Sequence, residues 1–383
     1  MLHASNHPVR RPWRSRAGLL IAAFVAMTAV ASPAATAKTV VTGSHTCVVA
    51  TSGKVLCWGL NEDGQLGDGT TTKQPRPVEV VGIDDATELV SGNRSTCALR
   101  ADGTVSCWGD NDLGQLGDGT AIDSPTPVTV AGLSNVVAIS GDGGPLCALK
   151  GDGSVACWGY GMPGVFNGMF QWSAAPVEVS AISGAVDLSV SGHEICAIGR
   201  AATTCWTYYP GSGSSGPYGG SSGSATYSST PVAVPNSGDI QQRSGTCSLL
   251  ATGQIGCEGR NSDGELGNGI RGFYELPRGA SVVKGITDAR AVSGLCAVVP
   301  PGTVLCWGHP LYGGTINGGA PSPDPRTLPA PLPGLTNVRS LSGARENGCA
   351  DNTAGELFCW GSNTDGRLGN GTQVPSSSPV QVA

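Results

Sequence analysis

The 383-residue chain is short of charge: Asp, Glu, Lys and Arg make up 13% of it, and Phe, Trp and Tyr only 5%. It has five histidines, and beyond residue 31 no long stretch places apolar residues at helical spacing. That pattern sets aside helix-rich folds. No two cysteines stand in C-x-x-C spacing, so a zinc site is not expected, and an even cysteine count leaves no orphan thiol. There is no excess of basic residues either. The formal net charge is −6, a poor match for phosphate neutralisation, and nucleic acid is excluded as a partner class. What the sequence has in abundance is glycine (59) and proline (26), with short runs of Val, Ile, Leu and Thr between them. Turn-rich β structure follows.

The N-terminus reads as a processing signal. Arg10, Arg11, Arg14 and Arg16 precede the apolar run AGLLIAAFVAMTAVA at 17–31, short for a membrane span and right for a secretory core. The expected cleavage follows Ala37, with an uncleaved anchor as the alternative. The mature chain, 38–383, then carries 18 basic against 28 acidic residues, about −10 in net charge, and has no stable membrane span. A secreted or otherwise extracytoplasmic protein is expected.

The fourteen cysteines fall into seven pairs: Cys47 with Cys57, Cys97 with Cys107, Cys147 with Cys157, Cys196 with Cys205, Cys247 with Cys257, Cys296 with Cys306, and Cys349 with Cys359. First members recur at intervals of 50, 50, 49, 51, 49 and 53 residues. This is a sevenfold repeat. Between Cys97 and Cys107 lies Ala101-Asp102-Gly103, a hairpin turn at the midpoint, so the two cysteines face each other on adjacent strands. A non-hydrogen-bonded antiparallel pair brings Cα atoms to about 4.5 Å, within disulfide reach. Each hairpin is expected to carry its own disulfide, worth roughly 2–3 kcal/mol in the chain-entropy model.

Two further strand-like pieces flank each hairpin, as in ATELVSG (86–92) and TPVTVAGL (126–133). Four short strands per 50 residues define a propeller blade, and seven repeats a seven-bladed, all-β propeller. Because 38–46 matches the segment before Cys97 and the chain stops at SPVQVA, one blade is expected to be closed by both termini.

The phrase CWGDNDLGQLGDGT, followed by SPTPVTVAGL, resembles the regulator of chromosome condensation repeat family over essentially the whole mature chain. The resemblance implies a seven-bladed propeller. Exported bacterial members look closer than the nuclear namesake, among them a propeller-type β-lactamase inhibitor that grips an enzyme with loops at one propeller end. Propellers host many activities, so the function has to come from the site.

Six tryptophans share one repeat position (Trp58, Trp108, Trp158, Trp206, Trp307, Trp360), with Glu258 in the fifth repeat as the exception; blade packing explains such a column better than ligand stacking. The loops at 63–70 and 263–269 faintly resemble calcium loops but lack the spacing of an EF-hand, and no metal or cofactor is expected. The third and fourth repeats break the pattern, with GYGMPGVFNGMFQW at 159–172 and a long Tyr/Ser/Gly stretch at 206–230. Phe166, Met169, Phe170, Trp172, Tyr208, Tyr209 and Tyr218 gather there, the residue types of a protein-binding patch; local core or disorder are the alternatives. A second candidate is the channel mouth, where turns before the cysteine pairs carry Arg94, Asp142, His193, Glu194, Arg243, Arg345 and Glu346. Such a ring suits a carbohydrate or polysaccharide chemistry, or is simply a solvated rim. The favoured expectation is a monomeric, protein-binding recognition or inhibitor module, more a binder than an enzyme. His45 fits a structural role.

Overall fold

The structure is a computed structural model that describes residues 40–383 apart from 93, 142–143, 161–171, 180–181, 192–193, 200–202, 210–225, 228–231, 234–239, 309–325 and 344–346. Its unit is the clasped hairpin. In the second repeat, Gly103 takes φ +79°, and the Asp102 carboxylate accepts from the Thr104 amide at 2.9 Å and hydroxyl at 2.6 Å. That turn sets Cys97 opposite Cys107, and the same register holds in all seven repeats.

Every pair is disulfide-bonded within its own hairpin, as expected. Cys47 is joined to Cys57, Cys97 to Cys107, Cys147 to Cys157 and Cys196 to Cys205. Cys247 is joined to Cys257, Cys296 to Cys306 and Cys349 to Cys359. The Cα atoms of each pair lie 4.0–4.1 Å apart, tighter than the spacing of about 4.5 Å usual for such strand pairs. The fourth hairpin is shorter by one residue, yet Cys205 still faces Cys196 and is fully buried. Seven disulfides of this kind suit an oxidising compartment.

Each hairpin gains a strand on either side. In the second blade these are Ala86–Ser91 and Ser124–Thr129 around Ser95–Arg100 and Val105–Gly109. Six blades have four antiparallel strands; in the fourth, the outer position is held by Thr226–Tyr227 and Val232–Ala233. The first strands of the seven blades touch one another in an unbroken circle, which makes them the inner ring of a seven-bladed propeller. Outer strands carry prolines such as Pro125 and Pro127, which cannot donate to an added strand and so blunt the edge. Among the described residues no helix is long and apolar enough to cross a membrane.

The cores lie between blades. Cys47 and Cys57 pack with Leu89, Ala98 and Trp108 of the following blade; Cys97 and Cys107 pack with Leu146, Ala148 and Trp158. Cys247 and Cys257 do the same with Val292, Ala297 and Trp307. In these seams the disulfide sits under the next blade's indole. Cys147 and Cys157 instead cluster with the aliphatic Leu188, Ile195 and Ala197 of the fourth blade. Burying an indole is worth about 5 kcal/mol by area, and Trp58, Trp108, Trp158 and Trp307 are at most 1% exposed.

Closure differs from the expectation. Among the described residues no blade is shared by the two ends: Val40–Thr42 pairs within the first blade, and the strands of the last lie within 338–381. The ring shuts by packing instead. Val48 and Trp58 of the first blade form one cluster with Cys349, Cys359 and Leu368 of the last. Trp58 Nε1 and Thr46 Oγ1 both donate to the Arg367 carbonyl at 2.9 Å, and Arg367 Nη1 donates to Gly43 O at 3.3 Å. The first-strand piece is complete within the first repeat, so the last blade, with four strands of its own, has no open place to fill.

Candidate functional site

Alternating strand direction puts two sets of connections at one end of the propeller: the turns from first to second strand and the loops from third to fourth. Arg94, on such a turn, reaches Glu62 and Asp63 on the preceding blade's loop, at 3.3 and 2.5 Å. Both sequence-derived candidates therefore belong to the same face.

The regular loops on this face are internally riveted. Asn111 Oδ1 accepts from the Leu116 amide at 2.9 Å, while its Nδ2 donates to the carbonyls of Thr120 and Ile122. Asn61, Asn261 and Asn363 do the same for Leu66, Leu266 and Leu368. Once fixed, each loop serves the next blade. Trp108 Nε1 donates to Gln65 O, Trp158 to Gln115 O and Trp307 to Glu265 O, all at 2.9–3.0 Å. At the Asn position, three residues after the tryptophan, the third, fourth and sixth repeats have Gly161, Tyr209 and Pro310. None can both accept from the loop amide and donate to its carbonyls through a side-chain amide. The sixth repeat's divergence is visible in the sequence as GHPLYGGTINGGAPSPDP (308–325), yet it is absent from the expected patch.

Of the aromatic patch, Trp172 lies at the top of the third blade's outer strand, paired with Tyr160, and is 48% exposed. Tyr208 and Tyr209 belong to a strand, opposite Tyr227 and Thr226. Phe166, Met169, Phe170 and Tyr218 lie outside the described residues.

Of the channel-mouth set, Arg94 is engaged as above. Arg243 is not at a rim: its side chain is 4% exposed and forms an ion pair with Glu258, the residue standing in the tryptophan column. The pair links the first and third strands of the fifth blade. Glu194 begins the strand Glu194–Gly199; Asp142, His193, Arg345 and Glu346 lie outside the described residues.

His45 is fully buried, and its Nε2 lies 2.6 Å from Thr96 Oγ1. Thr96 Oγ1 donates its proton to Gln65 O at 3.1 Å, so it accepts from the ring, and His45 carries its proton on Nε2. Burial, aided by the Arg367 charge, lowers its pKa to about 4. This is a neutral, structural histidine.

An acidic cluster escaped the sequence reading. Asp110, Asp112 and Asp123 place carboxylate oxygens within 4.8 Å of one another. Asp123 accepts from the Asn111 amide at 2.7 Å and Asp110 from the Asp112 amide at 3.0 Å, which accounts for two of the three as loop-forming groups. Burial, then the neighbouring acids, raise the Asp110 pKa despite the Asp112 amide. The cue in the sequence was four acids in DNDLGQLGDGTAID, 110–123, where the matching loops of other repeats have fewer.

A disulfide-clasped, seven-bladed β-propeller, with blades riveted through Asn, Gly and Trp, is the class these features define. The profile of the Regulator of chromosome condensation (RCC1) repeat matches residues 52–99, 102–143 and 354–383, and a second profile of that repeat matches 38–65 and 86–115. The matched segments, about a third of the chain, are similar to RCC1 repeats. Among solved structures it is similar to Prp20p from Saccharomyces cerevisiae, described with its binding to Gsp1p and histones: TM-score 0.70, 17% identity, covering 88% of this chain and 87% of that one. It is also similar to a chain of the complex of Kap60 with yeast RCC1 (Prp20): TM-score 0.65, 15% identity, covering 100% of this chain and 91% of that one. At such identities the likeness concerns the fold. No curated protein sequence matches the chain.

Proposed function

We propose that the protein is an exported recognition module that binds a protein partner through the loop face of its third and fourth repeats. The observation that carries this reading is the pattern of rivets. Four repeats keep the asparagine that fixes the loop to its own blade; Gly161 and Tyr209 replace it in the two repeats whose loops are richest in aromatics. Between them Trp172 presents an exposed indole. Large aromatics at solvent are the residue types that dominate protein interfaces. The Arg-rich start and apolar run at 17–31, together with the seven disulfides, support export. The protein partners named for Prp20p and for the Kap60 complex lend the same class of partner to this fold.

The test is affinity capture from an extracellular protein fraction with the chain from residue 38 as bait. Wild type, Trp172→Ala and Tyr209→Ala are compared side by side. One protein retained by wild type and lost with both variants, at unchanged melting, is the expected result. Turnover of a polysaccharide with no protein retained would overturn it.

A further inference from the structure

The inner ring poses a hydrogen-bonding problem, because each first strand turns one edge away from its own blade. In four seams that edge receives side-chain acceptors from the preceding blade. Ser140 Oγ accepts from the Val190 amide at 2.8 Å, Ser244 Oγ from Gly294 at 3.0 Å and Ser293 Oγ from Gly343 at 2.9 Å. These serines stand opposite the first cysteine of their own blade. Two residues earlier along the same strand face, Gln242 Oε1 accepts from Val292 at 3.1 Å. At the equivalent place in the second blade the acceptor is Glu88, whose Oε2 accepts from the Ile139 amide at 3.1 Å. Gln242 and Glu88 thus make one bond at one register, through a neutral amide in one seam and an ionisable carboxyl in the other.

Among the described residues, Glu88 has no cation to balance it. The strands Val40–Thr42 and Val136–Gly141, which pack against its own, carry no ionisable side chain. His45–Val49 carries His45, held neutral, and Ser95–Arg100 ends in Arg100, engaged by Asp85 at 2.8 Å. The remaining charge that acts on Glu88 is Asp187, of the same sign. A half-buried carboxyl, with one amide donor and an acid nearby, favours its protonated form.

We infer that the seam between the second and third blades is a proton-sensitive joint, in which Glu88 takes up a proton as the ring assembles and acid tightens the propeller there. Burial raises the Glu88 pKa from 4.5 to about 7, against the opposing pull of the Ile139 amide. The folded pKa is therefore above the unfolded one. The contribution is complete below pH 4.5 and is lost as pH rises through about 7. Burial raises the pKa of Asp187, and its effect has the same sign.

The experiment uses the full chain. A carbon-13 titration of the Glu88 side-chain carboxyl is expected to give a midpoint near 7; a midpoint near 4.5 overturns the inference. In urea unfolding, Glu88→Gln, which copies Gln242, is expected to stabilise the protein at pH 8. Relative to wild type it should remove a pH dependence of roughly ten- to a hundredfold in the unfolding constant between pH 5 and pH 8. A Glu88→Gln profile parallel to wild type also overturns it.

Discussion

Gly117 is where the packing logic of the propeller can be measured most directly. It follows Leu116 on the second blade's loop, at φ +66°, directly under the third blade's indole. A Cβ there would come within 2.8 Å of Trp158 Cδ1 and Nε1 and 2.9 Å of Val130 Cγ1. Both neighbours belong to a filled inter-blade core, so neither can withdraw freely. Gly117→Ala should incur three costs. The left-handed backbone costs an alanine about 1–2 kcal/mol, overpacking adds about 1–3 kcal/mol, and disturbing the Trp158 bond to Gln115 O adds roughly 1 kcal/mol. The built-in control is Gly132, at φ +68°, where a Cβ would meet nothing within 4 Å. Gly132→Ala should therefore show the backbone cost alone. Urea unfolding followed by tryptophan fluorescence, with midpoints compared at constant slope, reads both. Gly117→Ala is expected to lose about 2–4 kcal/mol more than Gly132→Ala. Equal losses would refute the idea that this glycine exists to admit the indole.

Other outcomes follow from the same contacts. Mass mapping should find all seven disulfides within single repeats, and mild reductant should open the bond of Cys296 to Cys306 first, because Cys296 is only partly buried whereas the other thirteen cysteines are at most 1% exposed. His45 is depressed in the fold, so its contribution is complete above pH 6.5 and is lost as pH falls through about 4; His45→Gln should remove up to about 3 kcal/mol of acid destabilisation over that window, read from urea midpoints. This sign is opposite to that of Glu88, so the two variants should tilt the pH–stability curve in opposite directions. Trp172→Ala should leave the melting temperature within about 1–2 °C of wild type, since a half-exposed side chain away from the core contributes little; a large loss would mark it as blade core.

The parts of this fold that were legible in the sequence are those fixed by neighbours along the chain. Cys97 and Cys107 flank a turn, and the alternation of a hairpin is enough to set them face to face. The same holds for Cys147 with Cys157, for Cys247 with Cys257, and for Cys196 with Cys205 across the shorter turn. The parts that were not legible depend on what lies one repeat away or on how strands are set side by side. That Glu258 would find Arg243 needs the packing of side chains across a blade, since 15 residues and one intervening strand separate them. Similarly, Glu88 reads as an exposed acid in an alternating strand until Ile139 of the next blade is placed against it. Closure was misjudged for the same reason: the match of 38–46 to 86–96 is real, but sequence alone does not tell whether a strand joins the first blade or the last. The divergent loops could be found as departures from a repeat, and Trp172 and Tyr160 show where one of them begins and ends.

Keeping every disulfide inside one hairpin changes the problem the chain faces while it is being made. Fourteen cysteines admit on the order of a hundred thousand pairings by simple counting. Yet each partner here arrives about ten residues after the first, and a loop of that length closes in roughly 10–100 ns. In a polypeptide entering an oxidising space N-terminus first, each pair is complete before the next pair emerges, so earlier cysteines can already be joined when later ones arrive. Oxidation can therefore proceed blade by blade in the order of synthesis, and an isomerase has little to undo. The one constraint left for the end is the noncovalent seam at Arg367, which cannot form until the seventh hairpin is in place.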